Sequence, residues 1–65
     1  RLEEHLNSAF LAGLPWVRII HGKGSGVLRT AVRDALPGHA LVASFRSGEE
    51  VEGGEGVTVA KLVSR

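Results

Sequence analysis

The chain has 65 residues, 43% of them apolar, with nine glycines and no cysteine; it can build one small domain, and neither a disulfide nor a thiolate-held metal can reinforce it. Its apolar runs are too short to span a membrane, and no signal-peptide pattern opens it. The net charge of +1 hides an uneven distribution: Arg18, Lys23, Arg29, Arg33 and Arg46 stand against Asp34 alone, and then Glu49, Glu50, Glu52 and Glu55 crowd together.

The first element reads as a helix. Leu2, Leu6, Ala9, Phe10 and Gly13 fall at helical spacing, with Glu3, Glu4, Asn7 and Ser8 largely on the other side. Gly13 is placed to end it, and Leu14-Pro15 blocks continuation. His5, near the polar side, reads as a solvated surface residue. Trp16-Val17-Arg18-Ile19-Ile20 is a β-branched and aromatic strand, and its near-continuous apolar character favours a central place in a sheet. Trp16, at the strand entrance after Pro15, reads as a packed residue rather than a base-stacking platform.

A second helix is expected from about Gly26 to Leu36, with Ser25 as N-cap and Pro37-Gly38 as stop. Its apolar positions are Val27, Leu28, Ala31, Val32, Ala35 and Leu36. Leu41 to Arg46 offers a short strand, Ser47 to Gly56 a loop rich in glycine and glutamate, and Val57 to Val63 the last strand. The order helix, strand, helix, strand, strand describes an α/β fold: an α+β two-layer sandwich in which two helices cover a small mixed sheet. The last two strands are expected to pair antiparallel.

The chemistry concentrates in Ile19-Ile20-His21-Gly22-Lys23-Gly24-Ser25-Gly26-Val27-Leu28, where three glycines at every second position join a strand to a helix start. Glycine permits positive φ and close approach, and a helix start offers unpaired N–H groups. Gly22, Gly24, Ser25 and Gly26 therefore form a candidate phosphate cradle, with Lys23 as a point charge over it. His21, at the carboxyl end of the strand, can move a proton near neutral pH or donate a hydrogen bond to phosphate. The P-loop pattern fails because Lys23 precedes the last two glycines, and the dinucleotide fingerprint fails on the equal glycine spacing. A plain connector would carry the same glycines.

The run Ala12-Gly13-Leu14, then Val17 through Arg29, with Ser44-Phe45-Arg46 and Gly53-Gly54-Glu55-Gly56-Val57-Thr58-Val59, resembles the Smr (small MutS-related) domain over nearly the whole chain. His21-Gly22-Lys23-Gly24 matches that family's His-Gly-x-Gly signature. The flavour is similar to the C-terminal domain of bacterial MutS homologues of the second type. The resemblance implies a fold like the C-terminal domain of translation initiation factor three. It also implies an endonuclease domain that nicks DNA with little sequence specificity. Such a domain is attached to a MutS-like ATPase that binds branched DNA, restrains recombination and serves DNA repair in the bacterial cytoplasm. ATP, and any homodimer, would belong to the rest of such a protein. RNA, and collided ribosomes in particular, is an alternative target on the same resemblance. The family opens on a strand carrying Leu-Asp-x-His or Leu-Asp-x-Arg, whereas this chain opens at Arg1-Leu2-Glu3-Glu4. Residues 1–65 are thus expected to form a single Smr-type domain lacking that first strand, as a piece of a longer protein.

On this reading His21 and Lys23 are the catalytic pair. The loop backbone and Lys23 hold the scissile phosphate, while His21 acts as general acid or base or positions water. Arg18, Arg29, Arg33 and Arg46 are candidates for neighbouring phosphates of double-stranded or branched DNA. For Arg29 and Arg33, four apart on a helix, solvated surface is an equal reading. No cofactor is assignable: the histidines and acids show no compact metal-ligand spacing, so a divalent cation would need carboxylates from elsewhere. Two other classes stay open. A non-catalytic nucleic-acid or ribosome-binding module needs only the basic face and the cradle, and a protein-interaction domain would use the acidic loop at 49–55.

Overall fold

A computed structural model describes residues 2–24 and 26–64. Helix α1 spans Leu2–Leu11 and buries Leu6 and Ala9, with Leu2 and Phe10 packed beside them, which is the stripe the apolar spacing predicts. Gly13 ends it at φ +78°. There the Gly13 amide donates to the Phe10 carbonyl and the Leu14 amide to the Ala9 carbonyl, both at 3.0 Å. This pair of bonds is a Schellman cap, which only a residue comfortable at positive φ can close.

Strand β1, Trp16–Ile20, follows, then helix α2, Val27–Ala35, and strand β2, Val42–Ser47. Two short 3-10 turns, Glu50–Glu52 and Gly54–Gly56, lead into strand β3, Val57–Leu62. The sheet order is β1-β3-β2, and both pairings are antiparallel. A small helix-covered sheet is therefore present as expected, and its last two strands pair antiparallel. The expected mixed pairing is not seen among the described residues. The crossover through α2 makes β1 and β2 point the same way, but β3 inserts between them and runs against both.

The centre of the sheet is β3 rather than β1. In β3 all residues but Lys61 are buried, whereas β1 buries only Val17 and Ile19. The outer edge of β1 pairs with no strand among the described residues. Val17, Ile19, Ala60 and Leu62 meet Leu6, Ala9 and Leu36 in one core, with Val32, Leu41, Val42 and Phe45 packed against it.

Helix α2 is rotated relative to the apolar stripe read from sequence. Val27 and Leu28 are mostly exposed, at 68% and 64%, while Leu36 is buried just beyond the helix end. The inward stripe is Arg29, Val32, Arg33 and Leu36, again at helical spacing. Two arginines can sit there because their heads reach polar partners at the end of the sheet, described below. Gly26 rather than Ser25 precedes the helix, at φ +86° with no side-chain cap; Ser25 lies outside the described residues.

Candidate active site

The loop after β1 is shaped by its glycines. Gly22, Gly24 and Gly26 all take positive φ, at +76°, +31° and +86°, so no other residue type would follow this path without strain. The loop is clamped from the far side by the second 3-10 turn. The Gly56 carbonyl accepts from the amides of His21, at 3.1 Å, and of Gly22, at 2.9 Å. A further bond runs from the Gly26 amide to the Lys23 carbonyl at 3.1 Å. Of the expected cradle donors, Gly22 and Gly26 thus spend their amides inside the protein. The amides of Lys23 and Gly24, in the loop ahead of α2, have no partner among the described residues. The cleft beside them has a volume of about 210 Å³ and is lined by His21, Gly22, Lys23, Gly24, Gly26 and Arg29, among others. Lys23 is exposed at its rim.

His21 is held by both ring nitrogens. Its Nδ1 lies 2.8 Å from the Gly22 carbonyl, which can only accept, so Nδ1 carries the proton. In the neutral ring Nε2 then accepts from the Thr58 hydroxyl, also at 2.8 Å. Thr58 is fully buried in the central strand. Its oxygen in turn accepts from Arg33 Nε at 3.3 Å, and Arg33 Nη2 donates to the Ser47 hydroxyl at 2.6 Å. A directed chain therefore runs from Arg33 through Thr58 to His21, tying α2, β3 and β2 to the loop. Thr58 and Ser47 were not among the residues read from sequence. The available signal was Thr58's place on the inward phase of β3 beside Ala60 and Leu62, where a hydroxyl needs a partner.

The basic residues do not form one face. Arg29 pairs with Glu55, and Arg46 makes two bonds to the Glu52 carboxylate, at 2.8 and 3.1 Å. Arg33 serves Thr58 and Ser47, and Arg18 projects with Trp16 from the sheet face opposite the helices. The acidic loop thus partners two of the four arginines rather than standing apart from them. The bonds from Arg46, helped by the Glu49 amide at 2.7 Å, hold the Glu52 carboxyl well below its ordinary range, at about 2. His39 is a tether and not part of the cleft: its Nε2 meets the Glu3 carboxylate at 2.9 Å, joining the turn after α2 to α1. His5 also lies apart, with Nε2 at 3.4 Å from the Arg18 carbonyl. Among the described residues no three His, Asp or Glu side chains gather as a metal-binding group.

Fold and loop together define a small two-layer α/β domain with a basic glycine loop at the carboxyl end of β1. The family model for the Smr domain matches residues 1–63, and the chain belongs to the Smr domain family. It is 60% identical over 62 residues to Endonuclease MutS2 of Symbiobacterium thermophilum, covering 95% of this chain. It is 56% identical over 61 residues to Endonuclease MutS2 of Pelotomaculum thermopropionicum, covering 94% of this chain. The chain spans only about 8% of the length of these curated relatives. The crystal structure of the Smr domain of Thermus thermophilus MutS2 matches with a TM-score of 0.91 at 44% identity, over 95% of this chain and 78% of that one. No helix among the described residues is long and apolar enough to cross a membrane.

Proposed function

We propose that this domain is a phosphodiester-cleaving module, an endonuclease domain that nicks DNA with little sequence preference. The observation that carries the reading is the placement of His21 and Lys23 on one glycine-shaped loop at the carboxyl end of β1. It is supported by relatives that bear the name endonuclease. Lys23, with its own amide and that of Gly24, holds the phosphate and takes up its developing charge. Ser25 belongs to this cradle on sequence grounds. The contacts go to phosphate rather than to base edges, so sequence preference is weak. His21 moves a proton to or from the reacting oxygens, and Thr58 and Arg33 position it. To use its Nε2 lone pair the ring must swing away from the Thr58 hydroxyl, because Thr58 itself is closed to solvent.

The wider role follows from the family resemblance: double-stranded or branched DNA as partner, and restraint of recombination in DNA repair within a bacterial cytoplasm. So does self-association through the remainder of a longer protein. One observation favours a second reading, a non-catalytic nucleic-acid or ribosome-binding module. With both ring nitrogens of His21 engaged, the resting site has no free base, yet the basic cradle is intact.

Nicking of supercoiled plasmid by this chain, His21→Ala and Lys23→Ala, beside salt-dependent binding to labelled duplex and RNA, separates the readings. Cleavage predicts that His21→Ala loses nicking while binding largely survives. A binding module predicts no turnover in any form and an affinity that falls steeply with salt. A protein-interaction domain acting through residues 49–55 would be indifferent to Lys23→Ala.

A further inference from the structure

The helices cover one face of the sheet and leave the other open. Alternation and register place Trp16, Arg18 and Ile20 of β1 on the open face, with Lys61 beside Trp16 and Val59 between Arg18 and Arg46. The 48–56 loop covers the Val57 end of this face, where Gly48 and Gly53 lie against Val57. The Trp16 end stays uncovered.

Trp16 is 47% exposed, which is not the packed residue its position after Pro15 suggests. Cations surround it. The Arg46 guanidinium carbon lies 5.8 Å from the ring centroid and Lys61 Nζ lies 5.9 Å away. Glu52 neutralises and orients Arg46. Arg18 and Lys61 make no ion pair among the described residues; Glu52 shares the pocket with Trp16 and feels the charge of Arg18, but its carboxylate is bound to Arg46, so three cations around the exposed indole meet one acidic group.

A half-exposed aromatic plane within a net positive surround matches an unpaired nucleobase with a phosphate on either side. It does not match a base pair, whose faces are stacked within the duplex. We propose that the open face of the sheet is a binding site for single-stranded nucleic acid: a base stacks on Trp16, and Arg18 and Lys61 hold the adjoining phosphates. The residues of β1 on this face form a row, Trp16, Arg18, Ile20, that runs straight into His21 and the glycine loop. Four residue steps of extended chain lead from Trp16 to Ile20, a distance of about 13 Å. A strand held at Trp16 is thereby led along the edge of β1 toward the loop; that last statement rests on the cleavage reading, whereas the binding itself does not. Neither the indole nor the two cations reads a sugar hydroxyl, so DNA and RNA strands should bind alike.

Trp16 is the only tryptophan and there is no tyrosine, so intrinsic emission reports on this face alone. The chain is titrated with short oligothymidylate, short oligouridylate and a blunt duplex of equal length, with binding followed in parallel by anisotropy of labelled strands. Both single strands should quench the emission and the duplex should quench it little. Trp16→Leu should weaken single-strand binding by about 5- to 100-fold, and Trp16→Phe should keep most of it. Arg18→Gln and Lys61→Gln should each lower the salt slope by about 1. Circular dichroism confirms that each variant is folded. The proposal is overturned if single strands saturate the protein without quenching, if Trp16→Leu binds them as the parent does, or if duplex quenches equally. Plasmid nicking measured on the same samples keeps the two ideas apart. Nicking without quenching sinks the single-strand site alone, and quenching without nicking in any form sinks the cleavage reading alone.

Discussion

Replacing Thr58 by valine keeps the shape of a fully buried side chain and removes the hydroxyl that joins His21 to Arg33. Two hydrogen bonds are lost, each with a net value of about 0.5–1.5 kcal/mol. His21 and Arg33 are half-buried, so water takes over part of their pairing and the full desolvation penalty is not incurred. The expected loss is about 1–2 kcal/mol. In a domain of this size each kcal/mol moves the melting temperature by about 4–8 °C, so melting followed by circular dichroism should fall by roughly 4–16 °C. Thr58→Ser separates the hydroxyl from the methyl. It keeps both bonds and should leave the His21 imidazole nitrogen chemical shifts where they are, whereas valine keeps Nδ1 protonated against the Gly22 carbonyl but removes the partner of Nε2, whose shift should move. Valine should also depress nicking more than serine does. If Thr58→Val melts like the parent and leaves the His21 nitrogen shifts unchanged, the hydroxyl does not anchor the histidine and the positioning argument fails.

Three further expectations follow from packing and charge. Leu36→Ala removes a side chain that is 1% exposed and should cost about 2–5 kcal/mol. That is much of the roughly 3–10 kcal/mol available to a chain of this length, so urea titration should find a large fraction unfolded without denaturant. Gly53→Ala places a Cβ at φ +117° and within 2.5 Å of Val57 Cγ2, which should lower stability by about 1–3 kcal/mol, read as a shift in urea midpoint. The Glu52 carboxyl, held at about 2 against an ordinary 4.5, favours its charged form in the folded state. Its contribution is complete above about pH 4.5 and is lost as pH falls toward 2. Urea midpoints should therefore decline across that window in the parent and decline less in Glu52→Gln.

Features set by local chemistry were legible in the sequence. Leu2, Leu6, Ala9 and Phe10 repeat at helical spacing, and Gly13 marks the stop, because a helix face and its cap are decided within a few residues. The glycine loop is equally local, since only glycine accepts its positive φ values. Strand order was not legible. Val17 and Ile19 point inward while Trp16 and Ile20 stay exposed on the face the helices leave open, yet a strand of that composition reads like one buried on both faces. The inward face of α2 was hidden for a related reason. Arg29 and Arg33 are polar by composition, and only their distant partners Glu55, Thr58 and Ser47 make an inward position affordable. Thr58 left almost no trace, being one hydroxyl within a β-branched run. The histidine signature announced the loop, and long-range pairing supplied the groups that hold it.

The central claim is that the His21-Gly22-Lys23-Gly24 loop cleaves phosphodiester bonds with His21 as the proton-transfer group. Its most direct test is the single-turnover nicking rate of supercoiled DNA at saturating protein, for the parent and for His21→Ala, with the bound fraction measured in the same tubes. His21→Ala should lower the rate by about 100-fold or more at nearly equal occupancy. Equal rates from parent and His21→Ala, or no cleavage by the parent while it is fully bound, would contradict that claim.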